Sequence, residues 1–346
     1  MIMSALMAAS CVQLASFDVP PQAQASLDDD GVLSLQDGLV WTDLPAFENG
    51  TLEADILLEP GRAFTGILFR AGDSGNGEMI YLRHHQSGLP DAWQYHPRYH
   101  GHQAYQIYQG EGFAGETDIP LGRWARLRLV VNGDRASLSI DGEEVAFMHD
   151  LQRKEGPGRF GFWALLGERS IRNVCFSPVE TELPEPRPFG TDQPVAGLVP
   201  AWRVSSPFDW EDRHQLVQTF SPGEGEIVRA THRGIADLNR VAPLEPGADT
   251  VLASLTLESD AARTVMFDFG FSDDVAIYLN GTLLYEGSDR FRSRDYRFLG
   301  TVGLYDSLPL RLEAGNNTLV LAIGETEGGW AVSGRLADAE GVSLRP

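Results

Sequence analysis

The sequence predicts an all-β protein made of two β-sandwich (jelly-roll) domains joined by a Pro-rich linker. Short runs of period-two alternation recur along the chain, separated by clusters of Gly, Pro, Asn and Asp. No segment before residue 150 holds a helical period longer than two turns. A length of 346 residues exceeds one ordinary core and suits two domains of roughly 150 residues each. A hydrophobic content of 42%, with aromatics at 10%, is enough to fill both cores.

The elements follow in order. Leu52, Ala54 and Ile56 alternate with Glu53 and Asp55, the pattern of a half-buried strand, and Glu59-Pro60-Gly61 turns the chain. FTGILFR reads as a second strand. Ala71 to Gly77 forms a turn, and EMIYLRH reads as a third strand. In RWARLRLVV, Leu127, Leu129 and Val131 share a face opposite Arg126 and Arg128. Asn132-Gly133-Asp134 then turns the chain into ASLSIDGEEV. GRFGFWAL and SIRNVCFSP close the first domain, expected over 15–177. Residues 178–200 hold six prolines and no apolar period, the composition of a semi-rigid connector. In the second domain, 201–346, Asn280-Gly281 marks a tight hairpin. Phe267, Phe269 and Phe271 share one strand face, and Val275, Ile277 and Leu279 form the inward face of the next.

Charge excludes some partners. There are 49 acidic and 27 basic residues, for a formal net charge of -22, and Lys154 is the only lysine. Such a balance repels phosphate backbones and anionic head groups, so neither nucleic acid nor an anionic membrane surface is an expected partner. Residues 1–14 hold an apolar run too short to span a bilayer, and no integral membrane span is expected. That run resembles the apolar part of an export signal, although no Lys or Arg precedes Arg62. The expectation is a cell-envelope or secreted protein, processed as a lipoprotein at Cys11 or after Ala25, or else read from a truncated amino terminus. Cys11 and Cys175 stand far apart in sequence, and no disulfide between them is expected.

Tyr81 to Tyr108 concentrates the candidate chemistry. It holds five of the eight histidines among tyrosines, arginines, Asp91, Trp93 and Gln94, with Gly88, Pro90, Pro97 and Gly101 breaking regular structure. Flat aromatic faces with polar edges suit a sugar ring. The expected ligand contacts are Arg70, Tyr81, Arg83, His85, Asp91, Trp93, Gln94, Tyr95, His96, His100 and His102. Arg70 and Arg83 offer planar forks suited to vicinal hydroxyls or to a carboxylate. The histidines fit no familiar zinc signature, so no metal is expected, and neither is a cofactor. For Asp273 and Asp274, turn capping is preferred to calcium binding. Arg290, Arg292, Arg294, Asp295 and Trp330 form a second candidate group. Neither a phosphate loop nor a Gly-x-Ser-x-Gly elbow occurs. Glu53 and Asp55 are the candidate catalytic residues. Same-face neighbours on a strand lie about 6.6 Å apart, a separation at which paired carboxylates can divide acid and base work.

The order FENGTLEADI, GILFRA, EMIYLRHHQSGLPDAWQY, W-x-R-L-R-L-V-V-N-G and A-x-L-S-I-D-G resembles the concanavalin A-like lectin and glucanase superfamily, in particular its laminin-G-like branch with 3-keto-disaccharide hydrolase-like domains. The resemblance covers residues 15–177 and implies a two-sheet jelly roll whose concave sheet holds carbohydrate. Laminarinase-type members carry Glu-x-Asp-x-x-Glu or Glu-x-Asp-x-Glu on the catalytic strand, whereas here the third carboxylate, Glu59, falls one place late. SDDVAIYLNGTLLYEG and LRLEAGNNTLVLAIGE resemble galactose-binding-like jelly rolls, with Asn280 and Gly281 as structural positions. The expected function is recognition of a glycan on the concave face and adjoining loop of the first domain. One alternative is a glycoside hydrolase or lyase acting on an oligosaccharide. The other is a structural or assembly protein with a protein partner.

Overall fold

The computed structural model describes residues 11–14, 16–72, 75–153, 156–185, 196–221, 223–294, 299–338 and 340–346. Residues 1–10 of the expected 1–14 leader, Lys154 and Asp295 lie outside the described residues. The fold is all-β, as the alternation predicts, apart from one short helix and three single 3-10 turns among the described residues. The chain divides into two compact units. One comprises Met1–Arg98 and Tyr108–Phe189, the other Tyr99–Ile107 and Gly190–Pro346. The sequence suggested two successive blocks, yet Tyr99–Ile107, from the middle of the first block, makes its contacts in the second unit.

Fourteen strands build the first unit: β1 (Val12–Gln13), β2 (Phe17–Asp18), β3 (Gln24–Leu27), β4 (Leu33–Thr42), β5 (Gly50–Leu58), β6 (Phe64–Ala71), β7 (Gly77–Arg83), β8 (Trp93–Arg98), β9 (Ala114–Gly115), β10 (Trp124–Asn132), β11 (Arg135–Ile140), β12 (Glu143–Met148), β13 (Arg159–Leu165) and β14 (Arg169–Ser177). A back sheet runs β12-β11-β10-β5-β14-β4 and a front sheet β4-β13-β6-β7-β8-β9. Strand β4 serves both. Its first half pairs with β14 and β3, and its second half pairs with β13. Gly38, at φ +101°, lies where the strand passes from one sheet to the other, and a Cβ there would come within 3.0 Å of the Ala23 backbone.

Ile56, Leu127 and Leu138 of the back sheet meet Ile67, Ile80, Leu82 and Phe162 of the front sheet around one narrow internal crevice. These are the inward positions of the alternating strands, so the predicted periodicity places the core. Arg169 is fully buried at the end of this core. It donates to the carbonyls of Leu35, Gln36, Phe64, Leu166 and Gly167 and to Thr65 Oγ1, at 2.7 to 3.2 Å. Burial lowers its guanidinium to about 10. One cation thus satisfies carbonyls of β4, β6 and the β13–β14 turn that water cannot reach.

The expectation for the cysteines is overturned. Cys11 and Cys175 form a disulfide, with their Cα atoms 5.6 Å apart. The cause is topological: β1 pairs antiparallel with β14, register Gln13 to Cys175, so the first and last strands of the unit are neighbours. Sequence spacing carries no trace of that pairing.

The second unit contains β15 (Ala201–Val204), α1 (Arg213–Thr219), β16 (Glu226–Arg229), β17 (Ile235–Asp237), β18 (Thr250–Ser259), β19 (Arg263–Ser272), β20 (Asp274–Leu279), β21 (Thr282–Ser288), β22 (Asp306–Leu312), β23 (Gly315–Gly324), β24 (Ala331–Leu336) and β25 (Val342–Arg345). One sheet runs β16-β15-β18-β23-β20-β21, with β25 also on β18, and the other runs β17-β24-β19-β22. They enclose a core that includes Trp202, Phe267, Phe269, Phe271, Ile277 and Trp330. Asn280 (φ +50°) and Gly281 (φ +77°) make the two-residue turn between β20 and β21, the geometry their sequence predicts.

Candidate functional site

The front sheet has two differently built faces. Register across β4, β13, β6, β7 and β8 brings Leu39, Trp163, Gly66, Tyr81 and Gln94 into one row, and Trp41, Gly161, Leu68, Met79 and His96 into the next. These positions alternate with the inward residues and therefore lie on the face turned away from the core. Leu68, Ala71, Met79 and Tyr81 form a separate buried apolar cluster there, flanked by half-buried Leu39, Trp41, Phe64 and Trp163. Gly66 and Gly161 leave room for these rings. A Cβ at Gly66 would lie 2.9 Å from the Tyr81 Cβ, and one at Gly161 would lie 2.9 Å from the Trp41 ring.

The rings are arranged around Tyr81. Trp163 meets it edge-on at 5.8 Å between centroids, His96 at 5.9 Å, and Phe64 in a tilted contact at 6.2 Å. The Arg159 guanidinium lies 4.8 Å from the centre of the Trp41 ring. Beside this aromatic patch is a polar network. Arg83 pairs with Asp91 at 2.5 Å and donates to the Tyr81 hydroxyl at 3.1 Å and to Gln94 Oε1. Tyr81 donates to the same Gln94 oxygen at 2.5 Å, and Gln94 Nε2 donates to the Tyr108 carbonyl at 2.5 Å. Burial raises the Tyr81 hydroxyl above its ordinary range, so it acts as a neutral donor. Asp91 remains half-exposed at the rim and Arg83 is nearly buried beneath it. Together they offer a half-exposed carboxylate, an oriented guanidinium and flat apolar rings on one surface.

Of the residues picked from the sequence, Tyr81, Arg83, Asp91 and Gln94 are brought into one bonded group. His96 joins through its ring contact with Tyr81 and donates from Nδ1 to the Pro97 carbonyl, 2.9 Å away. His85 is exposed and meets Phe64 at 5.1 Å. The others go elsewhere. Trp93 and Tyr95 occupy the inward positions of β8. The Tyr95 hydroxyl donates to Glu78 Oε2 at 2.6 Å, within the core. Arg70 donates to the carbonyls of Glu48 (2.8 Å) and Gly133 (2.6 Å) and to Asn49 Oδ1 (3.2 Å), tying turns together. His100 and His102 belong to the second unit.

Glu53 and Asp55 are not brought to this face, because β5 lies in the back sheet. Arg126 holds Glu53 at 3.1 Å and Asp55 at 3.0 Å, with Arg128 3.6 Å from Glu53 and Arg172 3.7 Å from Asp55. Partial burial pushes the Asp55 carboxyl up, but hydrogen bonds from Asn173 (2.6 Å) and Arg126 outweigh it and hold the group below its usual range. An ionised, arginine-clamped carboxylate is a poor proton donor. Beside Glu53 lie Cys11 and Cys175, the one grouping of potential metal ligands among the described residues, but their sulfurs are bonded to each other.

In the second unit, Asp273 accepts from the backbone N–H groups of Thr326 (3.0 Å) and Glu327 (3.4 Å), a capping arrangement, and Asp274 pairs with Arg290. Arg294 instead pairs with Asp289 at 2.8 Å, and Trp330 is buried with its Nε1 donating to the Ile323 carbonyl at 2.9 Å. That second candidate group does not converge among the described residues. The platform residues Trp41, Phe64 and Trp163 escaped the sequence reading. Their signal is the opposite phase of the strands already recognised: Phe64, Gly66 and Leu68 alternate with Thr65, Ile67 and Phe69.

No family model matches the chain, and no curated protein matches it. Among solved structures, the chain is similar to the carbohydrate binding module CBM66 from Bacillus subtilis. Identity is 19%, covering 47% of this chain and 96% of that one, with a TM-score of 0.36. It is also similar to a Bacillus licheniformis beta-glucanase at 8% identity, covering 50% and 94%, TM-score 0.34. A third is the Caenorhabditis elegans galectin LEC-6, at 14% identity, covering 42% and 95%, TM-score 0.29. Overlaps at this level stop short of assigning a family, and the all-β architecture is carried by the strand pairings themselves.

Proposed function

We propose that the first unit binds a saccharide on the front-sheet face bearing Trp41, Phe64, Tyr81 and Trp163, with Asp91 and Arg83 reading its hydroxyls and buried Gln94 holding Arg83 and Tyr81 in place. The observation that carries this is the juxtaposition of half-buried rings with the Arg83–Asp91–Gln94–Tyr81 network. A pyranose presents apolar C–H faces and polar edges, and this surface matches both. The network is held by its own internal hydrogen bonds, an arrangement that lowers the entropic cost of binding. The hydrolase alternative draws no support from Glu53 and Asp55, which are neutralised by arginines on the other sheet. The test is titration calorimetry across a glycan panel with the intact protein and with Asp91→Asn. A saccharide that binds the wild type and loses at least tenfold in the variant supports the reading. Failure of every saccharide to bind sinks it.

Export is part of the same proposal and is supported by the Cys11–Cys175 disulfide, since such bonds persist in oxidising compartments. The bond bears on the two processing routes: a lipid-modified Cys11 would have no thiol to give Cys175, and cleavage after Ala25 would remove Cys11.

A further inference from the structure

Two of the five histidines that drew attention in the sequence belong to Tyr99–Ile107, and the saccharide face does not use them. Within the second unit this segment is pinned at Gln106. Its N–H donates to the Gly328 carbonyl at 3.0 Å and its carbonyl accepts from Val302 N at 3.0 Å. Its side chain donates to the Leu299 carbonyl at 2.9 Å and accepts from Ser272 Oγ at 3.0 Å. Arg240 also lies 5.2 Å from the Tyr99 ring centre. The segment so held walls a cavity of about 190 Å³ lined by His102, Asn239, Leu244, Glu325, Thr326 and Glu327, among others. At ~30 Å³ per water in the liquid, that volume holds roughly six waters, or a small organic molecule in their place.

The cavity is acidic. Glu325 is 4% exposed; its Oε1 accepts from Gly329 N at 3.0 Å, and its Oε2 has no hydrogen-bond partner at normal distance, although the nearby Ser272 hydroxyl favours the charged form. Glu327 lines the same space. No arginine or lysine is among the lining residues. His102 Nε2 accepts from Leu244 N at 2.9 Å, which leaves the ring proton on Nδ1 and the imidazole uncharged. A buried carboxylate oxygen without a partner costs free energy that a cationic donor would recover. An inner-sphere metal ion does not fit, because no set of three potential ligands converges here among the described residues.

We propose that this cavity is a binding site for a small polyhydroxylated primary amine, whose ammonium group donates to Glu325 Oε2 while Asn239, Thr326 and Glu327 receive its hydroxyls. The site is independent of the saccharide face on the first unit. In the free protein, burial pushes the Glu325 carboxyl well above its ordinary range, with Asp273 and Asp237 adding to the effect. Asp273 itself accepts from the Thr326 and Glu327 N–H groups behind the cavity wall. An ammonium ion bound in the cavity favours the ionised form of Glu325.

The test is calorimetry on the intact protein with 1-amino-1-deoxy-D-glucitol and with D-glucitol, which differ only in amine against hydroxyl. The amine should bind at least tenfold more tightly than the polyol. Glu325→Gln should bring the amine down to the polyol's affinity. Leu244→Trp, which fills the cavity and leaves Glu325 in place, should abolish binding of both and stands in if the first variant fails to fold. Equal binding of the two probes, absence of amine binding, or amine affinity unchanged in both variants would each overturn the proposal. Saccharide binding by the first unit should be unchanged in either variant.

Discussion

Glu78→Gln is a perturbation whose size follows directly from the structure. Glu78 is fully buried on the inward side of β7, with Oε2 accepting from the Tyr95 hydroxyl at 2.6 Å and Oε1 from Arg153 N at 2.7 Å. Burial pushes its carboxyl up from 4.5 to about 7, against the opposing effect of those two hydrogen bonds. A folded pKa above the unfolded one means that the native state holds the extra proton between these values. This group therefore costs stability progressively as pH rises through the window. At ~1.4 kcal/mol per pH unit, the full cost above pH 7 is about 3 kcal/mol. His84 works in the opposite direction. It is buried between the Glu59 carbonyl (2.8 Å) and Thr65 Oγ1 (2.9 Å), and burial lowers it from 6.5 to about 4. Its contribution is lost as pH falls from 6.5 through 4, by a similar amount. The two slopes nearly cancel in the wild type, so its pH profile alone is uninformative. Glutamine keeps the shape of Glu78, accepts from Arg153 N and donates to Tyr95 in place of the proton. In calorimetric unfolding from pH 4.5 to 8, the variant should match the wild type at the acid end. At pH 8 it should be more stable by about 3 kcal/mol, an increase of roughly 6–12 °C in Tm for the first unit. A difference between the proteins that does not change with pH would refute the reasoning.

Three further outcomes follow. Cys175→Ser opens a link spanning a sequence separation of 164, for which chain entropy gives a loss of about 5 kcal/mol at most; non-reducing mass spectrometry should find no free thiol in the wild type. Arg169→Met leaves several buried carbonyls without donors and should cost 3 kcal/mol or more in urea unfolding, with Arg169→Lys recovering only part of it. Asp91→Asn removes the charge paired with Arg83 at a half-exposed rim, so stability should change by less than about 1 kcal/mol while saccharide affinity drops.

The strands were legible because a half-buried strand writes its two faces into alternate residues. Leu52, Ala54 and Ile56, then Leu127, Leu129 and Val131, are buried as that rule requires. The Asn280–Gly281 turn was legible because few dipeptides favour two successive positive φ angles. Period two says which residues share a face of one strand, but not which strand lies beside it. That is why alternation alone does not place Glu53 and Asp55: β5 pairs with β10, and the two carboxylates meet Arg126 and Arg128 rather than the expected ligand residues. The phase of β8 was the other ambiguity. Trp93 and Tyr95 carry the rings expected at a ligand face, but hydrophobic burial claims them and leaves Gln94 and His96 on the opposite side. The Cys11–Cys175 bond and the placement of Tyr99–Ile107 depend on contacts between distant parts of the chain, which local pattern does not encode.

The central claim is that the front-sheet aromatic face holds the sugar. The direct measurement is calorimetric saccharide affinity for the wild type, Trp41→Ala, Phe64→Ala and Trp163→Ala, with Glu53→Gln/Asp55→Asn on the back sheet as the control. Each ring truncation should weaken binding at least tenfold, about 1.4 kcal/mol, with the control unchanged. Full affinity in all three ring variants, or its loss in the back-sheet variant alone, would contradict the account.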